Sequence, residues 1–200
     1  AHPSIFRNSF YGIRFCPQCL KEDLYFKNIW RILFINICDK HKCYLLNNCP
    51  NCKSSIDFTK NSYSLYYTKC WHCGFDLRES KNTKIYLNSH EFYTQTLLHN
   101  IATKGYYIFQ NRVYYSIALF FLLRILVKNI LKIDILIDKY YIEQLEPKTL
   151  SYEISEALHL LEIYPKNLIH FCKKYKFTNE HAFYDKFRNQ KHNLPIWFSI

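Results

Sequence analysis

The sequence predicts a mainly α-helical protein fronted by small metal-built modules. Three observations carry that reading. The first is a run of paired soft ligands between Cys16 and Cys73. The second is a switch to helical periodicity and capping signals after residue 88. The third is a composition rich in aromatics (18%) and poor in charge (22%), which belongs to a packing chain and not to a disordered basic tail.

The front part is built on four pairs: Cys16-Pro17-Gln18-Cys19, Cys38-Asp39-Lys40-His41, Cys49-Pro50-Asn51-Cys52 and Cys70-Trp71-His72-Cys73. Gaps of 18, 7 and 17 residues separate them. A two-residue spacer lets one tight turn aim both side chains at a single ion, and two such turns complete a tetrahedral shell. The expectation is two structural Zn2+ ions held by Cys16, Cys19, Cys38, His41, Cys49, Cys52, Cys70 and Cys73. Two groupings are open. Sequential pairing joins the first two turns and the last two; interleaved, RING-like pairing joins first with third and second with fourth. Seven residues between His41 and Cys49 exceed the RING spacing and favour the sequential scheme. Cys43 competes with His41 as fourth ligand, but Cys38 with His41 keeps the two-residue spacing, so Cys43 is read as a small buried hydrophobe. The His72 ring is expected to point away from the metal, and the distant Cys172 to be inert packing.

The expected organisation is a lead-in at 1–12, tandem zinc fingers at 13–79, a linker at 80–87 and an α-helical domain at 88–200. Pro3 and Gly12 discourage helix in the lead-in. Leu24 to Ile37 suits a short helix or turn followed by a strand, with Trp30 supplying much of a small core. Asn88 with Glu91 is a capping box for a helix to about Thr103, with Gly105 just past its end. Ser116 caps a second helix to about Lys132, and a third covers 151–163. Pro165 starts a fourth, reaching about Tyr175. Thr178 caps a fifth, reaching about Asn189. Ile117 to Ile133 is apolar enough to raise the membrane question, but Arg124 and Lys128 in its middle make it a buried helix.

A formal charge of +11 points to an acidic partner, most simply nucleic acid. Lys173, Lys174, Lys176, Lys186, Arg188 and Lys191 concentrate on the last two predicted helices, which could pair as a helix-turn-helix contacting phosphates. Tyr63, Tyr66 and Tyr67 could stack on bases, although packing against the second finger is the commoner use of such residues. No phosphate-binding glycine loop, Gly-x-Ser-x-Gly or His-Glu-x-x-His occurs, and the neighbouring carboxylates Glu22-Asp23 and Asp134 with Asp138 read as solvation. The chain is read as a non-enzyme. Paired cysteines without a signal peptide favour reduced thiolates and a cytoplasmic setting. A chain without methionine that begins at Ala1 reads as a segment of something longer.

Phe15-Cys16-Pro17-Gln18-Cys19-Leu20-Lys21-Glu22-Asp23, then Phe26, Trp30-Arg31, Cys38-Asp39-Lys40-His41, Leu45-Leu46 and Cys49-Pro50-Asn51-Cys52 together resemble the TniQ family. Tyr164-Pro165 resembles the aromatic-Pro step in that family's helical region. The resemblance implies an adaptor in DNA transposition, related to TnsD proteins. Such an adaptor binds target DNA or a CRISPR effector complex and recruits an AAA+ ATPase and, through it, a transposase. A homodimer is one open assembly. Only fifteen residues precede Cys16, where family members carry a helical domain. Two other readings stand beside this one: a RING-type interaction module, and a general zinc-ribbon nucleic-acid-binding protein.

Overall fold

The computed structural model describes residues 5–7, 10–60, 67–135, 142–175, 184–185 and 190–191. Its first helix, α1 (Pro17–Asp23), starts where proline's missing N–H and fixed φ cost nothing. A single 3-10 turn at Asn28–Arg31 then swings Trp30 inward, where it is the largest fully buried side chain. The ring of Phe26 meets it edge-on at 6.4 Å and meets Phe15 in the same way. β1 (Ile37–Cys38) and β2 (Cys43–Tyr44) pair antiparallel, so the order of turn and then strand is the one expected.

Residues 80–87 run along β2. Tyr44 N–H donates to Thr83 O, Ile85 N–H donates to Lys42 O, and Ile85 is buried against Ile37 and Tyr44. Helix α2 (His90–Lys104) follows. Its cap is Ser89, one residue later than expected: the serine oxygen accepts from Phe92 N–H at 3.2 Å, so Asn88 stays outside the helix. Gly105, at φ 80, ends α2 as expected.

A hairpin not anticipated from the sequence comes next, β3 (Tyr106–Phe109) with β4 (Arg112–Tyr115). Gln110 and Asn111 both take positive φ, the geometry of a two-residue type I′ turn. Helix α3 (Ser116–Ile135) is buried on nearly every side, as Phe120, Leu122, Leu123 and Val127 show. Arg124 is tolerated there because it donates to the Glu143 carboxylate. No helix of the described residues is long and apolar enough to cross a membrane.

Helix α4 (Pro147–Glu162) begins four residues before the expected Ser151, because Pro147 serves as its first helical residue. Helix α5 (Lys166–Lys174) follows Pro165. A fifth predicted helix through 189 does not form as expected: Tyr184–Asp185 is a strand, β5, paired with β6 (Gln190–Lys191). The rest of that stretch, including the Thr178 cap, lies outside the described residues. The described residues are thus mainly helical, as expected, with short two-stranded ribbons that the sequence did not announce.

One continuous core joins the front and the helices, running from Ile5 through Trp30 and Phe34 to Leu168. Phe34 stacks on Phe120 of α3, with rings parallel and centroids 5.6 Å apart. Asn36 N–H donates to Gln95 Oε1 of α2. Arg7, which burial lowers to about pKa 10, donates to Gly12 O, Tyr11 O and, across the molecule, Glu143 O.

Candidate metal centre

Each paired motif folds as a turn that closes on its own first carbonyl. Leu20 N–H returns to Cys16 O, Lys42 N–H to Cys38 O, Lys53 N–H to Cys49 O and Gly74 N–H to Cys70 O, all at 2.9–3.0 Å. In the last three, the closing residue sits in the left-handed region, with φ 50, 63 and 73. This geometry turns the intervening backbone outward and both ligand atoms inward.

The result is two clusters whose ligand atoms lie within 4.8 Å of one another: Cys16, Cys19, Cys38 and His41, and Cys49, Cys52, Cys70 and Cys73. That is the sequential grouping; the interleaved grouping is not formed. Sulfurs about 2.3 Å from a tetrahedral zinc ion sit about 3.8 Å apart, and a sulfur and a nitrogen slightly closer. Here Cys19 and Cys38 are 3.4 Å apart, Cys49 and Cys73 3.7 Å, and Cys52 and Cys70 3.6 Å. His41 Nδ1 lies 3.2 to 3.6 Å from the three sulfurs of its cluster. These spacings are far beyond a disulfide bond, and all nine cysteines are free. Donor chemistry and spacing both fit zinc.

Sulfur crowding also shows in the electrostatics. Burial pushes the Cys19 thiol up, and pushes Cys70 up to about 12. Hydrogen bonding with Cys16 holds Cys38 down, and hydrogen bonding with the Ser54 hydroxyl holds Cys52 at about 5. Protons are thus shared unevenly within each cluster. A divalent cation would replace that sharing with four direct bonds.

Sequence reasoning missed one member of the first centre. Glu22, read as a solvated carboxylate, lies 3.0 Å from His41 Nε2 through Oε1 and 2.6 Å from Lys40 Nζ through Oε2. Hydrogen bonds from Lys40 and His41 hold its carboxyl below the ordinary glutamate value. With its Nε2–H given to Glu22, the imidazole presents the Nδ1 lone pair to the cluster. Nothing in the spacing of Glu22 from the cysteines announces this role.

Cys43 is buried outside the four-membered group, 3.7 Å from Cys16 Sγ, and receives Asn82 Nδ2 at 2.8 Å. His72 is exposed and packs its ring against Trp71. Cys172 is half-buried in the helical core. Lys173 and Lys174 are exposed in the last turn of α5, and Lys191 lies in β6. Lys176, Lys186 and Arg188 lie outside the described residues, as do Tyr63, Tyr66 and Asp138, while Tyr67 is exposed.

The sequence model of the TniQ family matches residues 5–45. The chain carries a TniQ domain. That match contains every donor of the first cluster together with Trp30 and Cys43, whereas the second cluster lies beyond it. No curated protein matches the chain significantly. The TniQ domain points to a role associated with transposition.

Proposed function

We propose that this protein is a TniQ-type adaptor in DNA transposition. It binds target DNA or a targeting complex and brings an AAA+ ATPase, and through it a transposase, to that place. The match over residues 5–45, coinciding with the first cluster, is the observation that carries the reading. The metal ions act as structural cross-links: each cluster offers four protein donors, a complete tetrahedral shell that leaves no position for a substrate or a reactive water. A non-catalytic adaptor role accords with that chemistry. The RING reading required interleaved pairing and falls with the sequential grouping.

Lys173 and Lys174, exposed at the end of α5, support a phosphate-contacting role for the basic C-terminal stretch, in which Lys176, Lys186, Arg188 and Lys191 follow in sequence. Such a role gives salt-dependent affinity with little base readout. The test is a mobility shift with a 30-base-pair duplex over a salt series, beside co-purification with the ATPase encoded next to a transposase. Replacing the six cations by glutamine is expected to weaken duplex binding and flatten its salt dependence. Unchanged binding removes this stretch from the account, and failure to bind both duplex and ATPase removes the adaptor role.

A further inference from the structure

Strand alternation gives the β3–β4 hairpin two unlike faces. On the inner face Tyr107 lies 5.5 Å from Tyr114, ring to ring, and Phe109 packs edge-on against Tyr164 at 5.7 Å. On the outer face the register places Tyr106 opposite Tyr115 and Ile108 opposite Val113. These four are 43, 81, 66 and 67% exposed. One face anchors the ribbon to the core; the other presents two tyrosines and two β-branched side chains to solvent. An exposed apolar strand face of this kind invites aggregation unless something covers it.

Charge narrows what that is. Between Glu91 and Asp134 the chain contains no carboxylate at all, while Lys104 at the base of the hairpin is exposed. A ligand suited to this setting is apolar and flat where it meets the tyrosines, and anionic around them. Unpaired bases on a phosphate backbone have both properties. Aromatic side chains on a strand face stack such bases without regard to sequence, while flanking cations take the phosphates.

We propose that the outer face of the β3–β4 hairpin binds the unpaired bases of a nucleic-acid strand. Tyr106 and Tyr115 are its stacking platforms, and Lys104 at the hairpin base its phosphate contact. The inference rests on the nucleic-acid-binding role proposed above and narrows it to a form with exposed bases. It calls on residues other than the cations of the 173–191 stretch.

The test uses the zinc-loaded full chain with a fluorescein-labelled 15-nucleotide strand of mixed sequence, and the same sequence as a blunt duplex, followed by anisotropy. Tyr106→Leu with Tyr115→Leu keeps the face apolar. It is expected to weaken single-strand binding about tenfold to a hundredfold, and duplex binding less than threefold. Tyr106→Phe with Tyr115→Phe is expected to retain single-strand binding. Lys104→Gln, at an exposed position that should not disturb folding, is expected to reduce the salt dependence of single-strand binding. Duplex binding by the native chain without single-strand binding overturns the inference and leaves the adaptor reading standing; binding to neither form overturns both. Single-strand binding unaffected by the leucine pair also overturns it. So does a concentration-dependent dimer, seen in sedimentation, that the leucine pair abolishes, because the face would then join two copies of this chain.

Discussion

Lys42 and Lys53 occupy the same step of their turns as Gly74, with left-handed φ that an L-residue adopts at a cost of about 1–2 kcal/mol. Lys53→Gly should therefore raise stability by about 0.5–1 kcal/mol in urea unfolding of the zinc-loaded protein. Gly12 is the opposite case. It combines φ +66 with a position where an added Cβ would lie 2.4 Å from Ile56 O. Gly12→Ala should cost on the order of 3 kcal/mol, because both backbone strain and overlap with main-chain atoms must be relieved. Glu22 offers a third test at single-residue scale. Glu22→Ala should lower the zinc affinity of the first centre about tenfold in competition with a chelator, while Asp23→Asn and the second centre stay unchanged. The eight donors were legible in the sequence because a two-residue spacer is a local constraint that the turn itself enforces. Glu22 was not, because its meeting with His41 depends on how α1 lies against the β1–β2 turn, 19 positions along the chain.

Elements follow the same division. The helix starts at Ser116 and after Pro165, and the stop at Gly105, were readable because caps and proline act within one turn. The β3–β4 hairpin was missed although the run from Tyr106 to Tyr115 is rich in aromatic and β-branched residues; Gln110-Asn111 is a weak signal beside the usual Asn-Gly. Replacing that pair by Asn-Gly should stabilise the hairpin by about 1 kcal/mol, read as a rise in midpoint denaturant without a change in slope. Asp76 supplies a pH-dependent element. It accepts from Arg78 N–H, and hydrogen bonds from the Arg78 guanidinium hold its carboxyl below the ordinary aspartate value. A lowered carboxylate stabilises fully above the ordinary range near pH 4, and the contribution disappears as pH falls through the lower folded value. Asp76→Asn should flatten that part of the stability–pH curve by lowering stability at neutral pH, while the acid end stays little changed.

Across the whole molecule, the metal-built front and the helices behave as one packing unit because their core is shared. Phe34 reaches Phe120, Asn36 reaches Gln95, and Arg7 reaches Glu143, 136 positions away. Such pairings lie beyond any local pattern, which is why the sequence suggested two halves joined by a linker and could not show the contacts between them. Structural zinc contributes on the order of 10 kcal/mol per site, more than a typical domain has in reserve. Chelation should therefore unfold α2 to α5 together with the front, in a single transition followed by circular dichroism. Helices that melt at an unchanged temperature after chelation would show that the shared core is not what couples them. The measurement that tests the account most directly is zinc content with X-ray absorption on the folded, reduced chain. The account predicts two zinc ions per chain, both tetrahedral, with three sulfurs and one imidazole nitrogen at one and four sulfurs at the other. Folded protein without zinc, or with these cysteines oxidised to disulfides, would contradict it.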